Sequence, residues 1–287
     1  MGRGTQLRTL TWLVLAGWAG LAFAAGKAEE FKYVAPPGAS ISLINDVGQV
    51  TVRYGEGRRI VIRSRTASDK IEVDVEQKGT RFEVRTHLLQ PGTPEEMKVE
   101  YEVFVPARVA ITVRANSGPI RVKGLRGSEI ILDGDSAAVE VHEVEAAGQH
   151  LHARTVSGNI TLGNISNAHL EIRSLSGDVS LEKVSGPKVQ VTTTQGNIRY
   201  AGQFGSNGEY SLISHSGNID VSLPETASVD IMAESVEGSA DNDFPLQRKQ
   251  HSSFLPHKGR SFSGTSHSGS SSVQLSSFSG KIRVKKQ

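Results

Sequence analysis

Apolar and polar residues alternate along most of the chain in short runs, which are separated by corners that contain glycine. Typical runs are Leu170-Glu171-Ile172 and Val179-Ser180-Leu181. A period of two places the apolar side chains on one face of a β-strand and the polar side chains on the other. The pattern therefore predicts an all-β protein.

A short phrase joins these runs and recurs along the chain, which is the signature of a repeat architecture. It consists of Ser-Gly, then Asn or Asp, then an alternating run, and it is complete at Ser157, Ser176 and Ser216. The corner glycine or its substitute falls at positions 118, 137, 158, 177, 196, 217, 238 and 280. Successive corners are 19 or 21 residues apart, except that the last gap is 42 residues. That gap corresponds either to two periods or to one period with an insertion.

One unit of about 20 residues cannot bury its apolar face alone, whereas stacked units pair each strand with the same strand of the next unit. We therefore predict a β-solenoid of 19–21-residue coils, in which Ile160, Val179, Ile198 and Ile219 form one buried column. Glycine at the corners is expected to supply a positive φ. A β-sandwich of hairpins is the alternative fold, although its Asn-Gly turns are replaced here by the order Gly-Asn.

The chain divides into three parts on this interpretation. Residues 1–24 are a signal peptide, 25–110 form an N-terminal β region or cap, and 111–287 form the β-repeat solenoid. Within the cap, the segment from Lys70 to Thr86 reads as a hairpin around Gly79, and Lys98 to Val105 as a further strand. Within the solenoid, the alternation of apolar and polar residues is interrupted by a basic Ser/His-rich loop at 245–272.

The N-terminus has the features of a secretory signal peptide. Arg3 and Arg8 precede an apolar run from Leu10 to Ala24, which ends in Ala22-Phe23-Ala24. The run is shorter than the roughly 20 residues of a membrane-spanning helix, so cleavage is favoured over the alternative of an uncleaved anchor. We expect an exported protein, either periplasmic or at the cell surface, without a transmembrane segment after cleavage. The absence of cysteine excludes disulfides and a lipid-modified cysteine.

The charges are balanced overall but unevenly placed. The sequence has 32 Lys and Arg against 30 Asp and Glu, and the signal peptide contains two of the arginines. A neutral mature chain argues against a nucleic-acid binder, which would carry a broad basic face. After Asp243 there is no acidic residue, but there are eight basic ones: Arg248, Lys249, Lys258, Arg260, Lys281, Arg283, Lys285 and Lys286.

This basic end is expected to attract an anionic envelope polymer, acidic lipid headgroups or a protein partner. Apolar residues lie within or beside it, namely Phe244, Leu246, Phe254, Leu255 and Phe262. The alternative is a solvated loop whose positive charge only offsets the acidic coils.

The chain resembles the bacterial putative-adhesin β-strand-repeat family, domain of unknown function 4097. The resemblance rests on the repeat and on two phrases, Val-Glu-Tyr-Glu-Val-Phe-Val-Pro at 99–106 and Asp-Asn-Asp-Phe-Pro-Leu at 241–246. It implies a β-repeat fold and a cell-envelope setting, and it brings no catalytic motif.

Two sets of residues are candidates for a catalytic or metal-binding site. Asp133 and Asp135 would lie about 6–7 Å apart on an extended strand, which suits a glycosidase carboxylate pair loosely, but Asp is also an ordinary corner residue. Alignment of the coils on their corners gives two columns, Glu129-His150-His169-Lys188 and Ile131-His152-Glu171-Gln190. Imidazole and carboxylate would suit a transition metal, although exposed polar columns are expected on any solenoid.

The corner serines recur in nearly every coil, so we interpret them as caps for neighbouring backbone groups rather than as nucleophiles. The sequence thus assigns no catalytic, cofactor-binding or metal-binding residue. It favours an exported, non-enzymatic envelope protein that binds a partner. The alternatives are a carbohydrate-active solenoid enzyme that uses Asp133 and Asp135, and a purely structural spacer.

Overall fold

A computed structural model of the chain describes residues 26–205, 207–247 and 257–287. All regular secondary structure in these residues consists of β-strands, which confirms the prediction of an all-β protein. The strands, numbered β1 to β24 in chain order, form two sheets of 12 strands each. The predicted signal peptide lies outside the described residues.

Sheet A has its strands in the spatial order β1-β4-β7-β3-β9-β11-β13-β15-β17-β19-β24-β21. In that order their bounds are Ala28–Val34, Arg59–Thr66, Val99–Val105, Val50–Tyr54, Ile120–Lys123, Val139–Glu145, Ile160–Ser166, Val179–Val184, Ile198–Ala201, Ile219–Leu223, Lys281–Lys286 and Ser239–Asn242.

Sheet B has the order β22-β20-β23-β18-β16-β14-β12-β10-β8-β2-β6-β5. In that order its strands are Ser261–Ser266, Val229–Ser235, Ser271–Ser277, Glu209–Ser214, Lys188–Thr193, His169–Ser174, His150–Thr155, Ile130–Gly134, Ala110–Ser117, Ser40–Val47, Arg81–Leu88 and Ile71–Lys78.

The central strands of both sheets are parallel, and each pairs with the equivalent strand one corner further along the chain. Val179 lies between Ile160 and Ile198, and Ile198 lies next to Ile219. All four side chains are at most 1% exposed, so the predicted buried column is confirmed. A parallel arrangement of this kind differs from the sandwich of hairpins that the sequence left as an alternative.

Antiparallel pairs occur towards the ends of the two sheets. β5 and β6 form the predicted hairpin, whose turn contains Gly79 with a φ of 63°. β6 then lies beside β2, and in sheet A β7 lies beside β3, so β6 and β7 stack on the outer side of β2 and β3, respectively.

The C-terminal strands are inserted into the sheets rather than added at the end. β23 lies between β18 and β20, and β24 lies between β19 and β21. The corner of Gly280 consequently rests on that of Gly217, and the corner of Gly238 rests on that of Gly280. Between the corners at 238 and 280 the chain forms β21, β22 and β23. The 42-residue gap is therefore one period with an insertion that includes the antiparallel strand β22.

The segment at 245–272 differs in part from the predicted loop. Residues 261–266 form β22, which pairs with β20 in antiparallel orientation, and β23 begins at Ser271. The low-complexity composition concealed these strands because serine replaces most of the apolar residues. Phe262 provides part of the packing, since it lies half-buried against the core.

Close packing, not backbone handedness, requires glycine at the complete corners. Gly177 and Gly217 do not have the positive φ that the sequence led us to expect. A Cβ atom at Gly177 would instead lie 2.0 Å from the carbonyl oxygen of Gly158, and one at Gly217 would lie 1.9 Å from that of Gly196. Among the incomplete copies, Gly118 does have a positive φ of 95°.

Side-chain hydrogen bonds connect successive corners. The buried Ser214 hydroxyl donates to the Gly196 carbonyl oxygen (3.2 Å) and accepts from the Gly217 N–H (2.8 Å). Nearer the surface, the Ser176 hydroxyl donates to the Val156 carbonyl oxygen at 3.0 Å, as Ser216 does to Thr194 at 3.1 Å. The corner serines thus cap neighbouring backbone groups, as predicted.

Candidate binding surface

The outer face of sheet B brings together the histidines that the sequence alignment of coils had placed in columns. His169 lies between His150 and Lys188, while His152 lies between Ile131 and Glu171. We call the outward side chains of β12, β14 and the start of β16 the histidine face. Its members are His150, His152, Arg154, His169, Glu171, Arg173 and Lys188.

The three imidazoles of the histidine face lie against one another. The ring centroid of His150 is 5.6 Å from that of His152 on the same strand and 5.1 Å from that of His169 on the next strand. Glu171 is the acidic member, and both of its oxygens are engaged. One lies 3.1 Å from His152 Nδ1 and the other 2.5 Å from Arg173 Nη2.

This arrangement does not assemble a metal centre. In the described parts of the chain, no group of three or more His, Asp or Glu side chains could hold a metal ion. The Glu171 carboxylate, which would be the anionic ligand of such a site, faces Arg173 and His152 instead.

Asp133 and Asp135 lie at the end of β10 and beyond it. The Asp133 carboxylate forms an ion pair with Arg114 Nε at 3.3 Å, on the outer face. Asp135 is exposed, and its backbone carbonyl accepts hydrogen bonds from the amides of Val156 and Ser157. Both residues therefore have structural partners, as surface and corner residues do.

The structure has a small depression elsewhere, between the end of β4 and the start of β7. Its volume is about 20 Å³, room for roughly one water molecule. Arg65, Thr66, Ala67, Lys98 and Glu100 line it. Neither Asp133 nor Asp135 lines this depression.

A row of exposed apolar side chains follows one corner of the stack, and sequence reasoning missed it. The row contains the residue two positions before each corner glycine, and we call it the corner row. In spatial order its members are Val156, Leu175, Thr194, His215, Phe278 and Val236.

The apolar members of the corner row are well exposed. Val156 is 39% exposed, Leu175 52%, Phe278 40% and Val236 51%. The rings of His215 and Phe278 stack in parallel, with centroids 5.0 Å apart and an angle of 9° between their planes. Asn116 and Asp135 precede this row at equivalent positions of the earlier coils, so the change from polar to apolar residues was visible in the sequence once the corners were aligned.

The basic C-terminal residues are less available than the sequence suggested. Within β24, Lys281 forms an ion pair with Asp241 at 2.6 Å, and Arg283 lies 4.0 Å from Asp220. A hydrogen bond from Lys281 lowers the pKa of the Asp241 carboxyl. Lys286 also pairs with Glu225, at 2.9 Å. The insertion of β24 between acid-bearing strands therefore neutralises part of the positive charge.

The apolar residues near the basic loop also serve the fold. Phe244 is only 2% exposed, and Leu246 and Phe262 pack half-buried against the core. Arg248, Lys249, Phe254 and Leu255, which the sequence placed in the same loop, lie outside the described residues.

Residues 39–285 match the model of a protein family described as Toastrack DUF4097. The chain belongs to this Toastrack family. The match extends over both sheets, from the start of sheet B at β2 to the end of β24, and it agrees with the resemblance found in the repeat.

Solved structures from several bacteria are similar to this chain at low sequence identity. A putative adhesin from Bacteroides fragilis NCTC 9343 is 12% identical, with coverage of 91% of this chain and 97% of its own and a TM-score of 0.49. A putative lipid binding protein from Parabacteroides distasonis ATCC 8503 is also 12% identical, with 92% and 97% coverage and a TM-score of 0.49. A putative cell adhesion protein from Clostridium sporogenes ATCC 15579 is 14% identical, with 91% and 100% coverage and a TM-score of 0.27.

Similarity at this level does not transfer a ligand to the Toastrack chain. No curated protein sequence matches it significantly. Among the residues that the structure describes, no helix is long and apolar enough to span a membrane.

Proposed function

We propose that this Toastrack-family protein is an exported, non-enzymatic binding protein of the cell envelope, of adhesin type. The corner row is the observation that carries the proposal. Export is supported by the signal-peptide features of residues 1–24, and the setting is periplasmic or at the cell surface.

The proposed architecture is a β-solenoid of 19–21-residue coils. Residues 25–110 act as the N-terminal cap and 111–287 as the repeat region. Support comes from the parallel pairing of strands one corner apart, as at Ile160, Val179 and Ile198, and from the antiparallel strands at the N-terminal end.

The corner row has the properties of a docking surface. Its apolar members form two neighbouring pairs, Val156 with Leu175 and Phe278 with Val236, which Thr194 and His215 separate. Exposed apolar side chains that lie side by side mark interaction surfaces more often than single ones do. Adjacent strands are about 4.8 Å apart, so the six positions from Val156 to Val236 extend over roughly 24 Å. A row of that length fits an extended partner, such as an envelope polymer, a lipid surface or a protein surface.

Substitution within the corner row tests the proposal. The variant Leu175→Ser/Phe278→Ser should bind isolated envelopes of the producing cell more weakly than the parent, as measured by co-sedimentation. A matched control is Val34→Ser/Leu88→Ser, because these side chains are 66% and 50% exposed but lie outside the corner row. The control should bind like the parent.

Equal binding by the corner-row variant and the parent would contradict the proposed role and favour a structural spacer. Release of reducing ends from envelope polysaccharide, with loss of that activity in Asp133→Asn, would contradict the non-enzymatic assignment.

A further inference from the structure

We propose that the histidine face is a proton-dependent binding site for anionic lipid bilayers. This inference deepens the proposed function, on which it rests, by naming the partner and the condition under which it binds. The argument depends on the charge balance of the outer face of sheet B, on the contacts of its histidines and on the apolar residues beside it.

The fixed charges on this part of sheet B cancel. On the outward positions of β8 to β18, including Glu129 just before β10, there are four basic and four acidic side chains. The basic ones are Arg114, Arg154, Arg173 and Lys188, and the acidic ones are Glu129, Asp133, Glu171 and Glu209. The adjoining corner positions add Asp135 and His215. The net charge of the face therefore depends on how many of its imidazoles carry a proton.

Protonation would leave positive charges close together with little internal compensation. His150 has both other imidazoles of the face at ring distances of 5.1–5.6 Å. His169 has Lys188 as its neighbour on the next strand. Two acids adjoin the histidines, and both are already counted in the balance of fixed charges. Glu171 contacts His152 but also faces Arg173, and Glu129, one position before Ile130, adjoins His150 across the pair of β10 and β12. An external anion is then the group that would offset the added charge.

A bilayer fits the surroundings of this face better than a soluble polyanion does. Val156 and Leu175 lie two residues beyond Arg154 and Arg173, at the first positions after β12 and β14, and they are exposed. Basic side chains beside exposed apolar ones are typical of proteins that lie at a membrane interface, where the charges meet the headgroups and the apolar groups enter the acyl boundary. A soluble polyanion would gain nothing from the two apolar side chains.

The test is co-sedimentation of the purified protein with vesicles of equal parts phosphatidylglycerol and phosphatidylcholine. Imidazoles gain their protons between about pH 8 and about pH 5, and each charge near an anionic surface strengthens binding roughly fivefold. Binding should therefore increase on the order of a hundredfold over this range if all three histidines respond. It should weaken at high salt, and vesicles of phosphatidylcholine alone should show no such increase.

The variant His150→Asn/His152→Asn/His169→Asn should lose most of the pH response and bind as the parent does near pH 8. The control His87→Asn/His142→Asn removes one imidazole from β6, four strands away from β12 in sheet B, and one from β11 of sheet A, and it should keep the response. Circular dichroism at both pH values checks that every variant is folded.

Three outcomes would overturn the inference: an unchanged pH response in the triple variant, equal binding to the neutral vesicles, or unchanged vesicle binding in Val156→Ser/Leu175→Ser. Tight binding of soluble polyphosphate that this last variant retains would assign the site to a free polyanion instead. If the triple variant keeps its pH response while Leu175→Ser/Phe278→Ser loses envelope binding, the inference fails and the proposed function stands.

Discussion

Replacement of Gly177 by alanine tests whether close approach of the coils explains the corner glycines. The new Cβ atom would lie 2.0 Å from the carbonyl oxygen of Gly158, whereas an ordinary contact begins at 3.4 Å. The atom it meets belongs to the backbone, so no flexible side chain can move aside. The two coils would have to separate locally by about 1.4 Å, the difference between these two distances.

The cost follows from the hydrogen bonds at this corner. Two backbone hydrogen bonds join the two coils here: the Ser176 amide donates to the Val156 carbonyl oxygen at 2.9 Å, and the Ile160 amide donates to the Asp178 carbonyl oxygen at 2.9 Å. A buried group that loses its partner costs about 1–3 kcal/mol, while alanine stabilises by about 0.4–1 kcal/mol through the unfolded chain. We therefore expect Gly177→Ala to lower the free energy of unfolding by about 3 kcal/mol.

Thermal unfolding followed by circular dichroism measures the effect. A loss of about 3 kcal/mol corresponds to a decrease in Tm of roughly 6–12 °C for a chain of this size. Gly148→Ala is the control, because Gly148 has a φ of 84° and nothing within 4 Å of a Cβ atom. It should cost only the about 1–2 kcal/mol of a left-handed residue. The argument from close approach is refuted if Gly177→Ala melts with the parent or above Gly148→Ala.

Four further substitutions test the buried column, the corner hydroxyls and the buried Tyr101. Val179→Asp places an unpaired charge at a position that is 1% exposed, and should cost several kcal/mol; a parent-like urea midpoint would disprove the register of the coils. Ser214→Ala leaves the Gly217 amide and the Gly196 carbonyl without their side-chain partner and should cost about 1–3 kcal/mol. Ser216→Ala, on the exposed side of the same corner, should stay within about 0.5 kcal/mol in the same urea titration. Burial raises the pKa of Tyr101 to about 12, so its stabilising contribution is complete below about pH 10, where the unfolded phenol ionises, and is lost as the pH rises towards 12. Tyr101→Phe should make the urea midpoint less dependent on pH over that interval, and an unchanged slope would argue against this role.

The sequence was sufficient to predict the all-β fold, the buried column and the two outward columns. Each of these depends only on two local rules. Period-two alternation sets the inward and outward faces, and the corner glycines set which residues become neighbours. Val179 therefore lies between Ile160 and Ile198, and His169 between His150 and Lys188.

Properties that depend on the distance between coils could not be predicted in this way. The reason for the corner glycines was assigned to φ because the sequence does not contain the approach of Gly177 to the Gly158 carbonyl. The sequence contains the charge split, but it does not contain the fact that Lys281 and Asp241, which are 40 residues apart, lie on adjacent strands. The corner row was overlooked because Phe278 and His215 become neighbours only when β23 is next to β18.

The position of the last coil is related to the pairing of β20, which is hydrogen-bonded along both of its edges. One edge pairs with the antiparallel strand β22, and the other pairs with β23. β20 therefore has no free edge for β18, and β23 occupies the position beside β18. The five residues 224–228, which connect β19 to β20, are long enough for β20 to lie one strand position further out. An extended residue covers up to about 3.3–3.6 Å, and two strand spacings amount to only about 9.6 Å. The corners are also compatible with this order of strands. The hydroxyls of Ser214, Ser235 and Ser277 each donate the same hydrogen bond to a corner carbonyl of the neighbouring coil. In the observed order β22 covers the outer edge of β20, which would otherwise leave its backbone groups open to pairing with another chain.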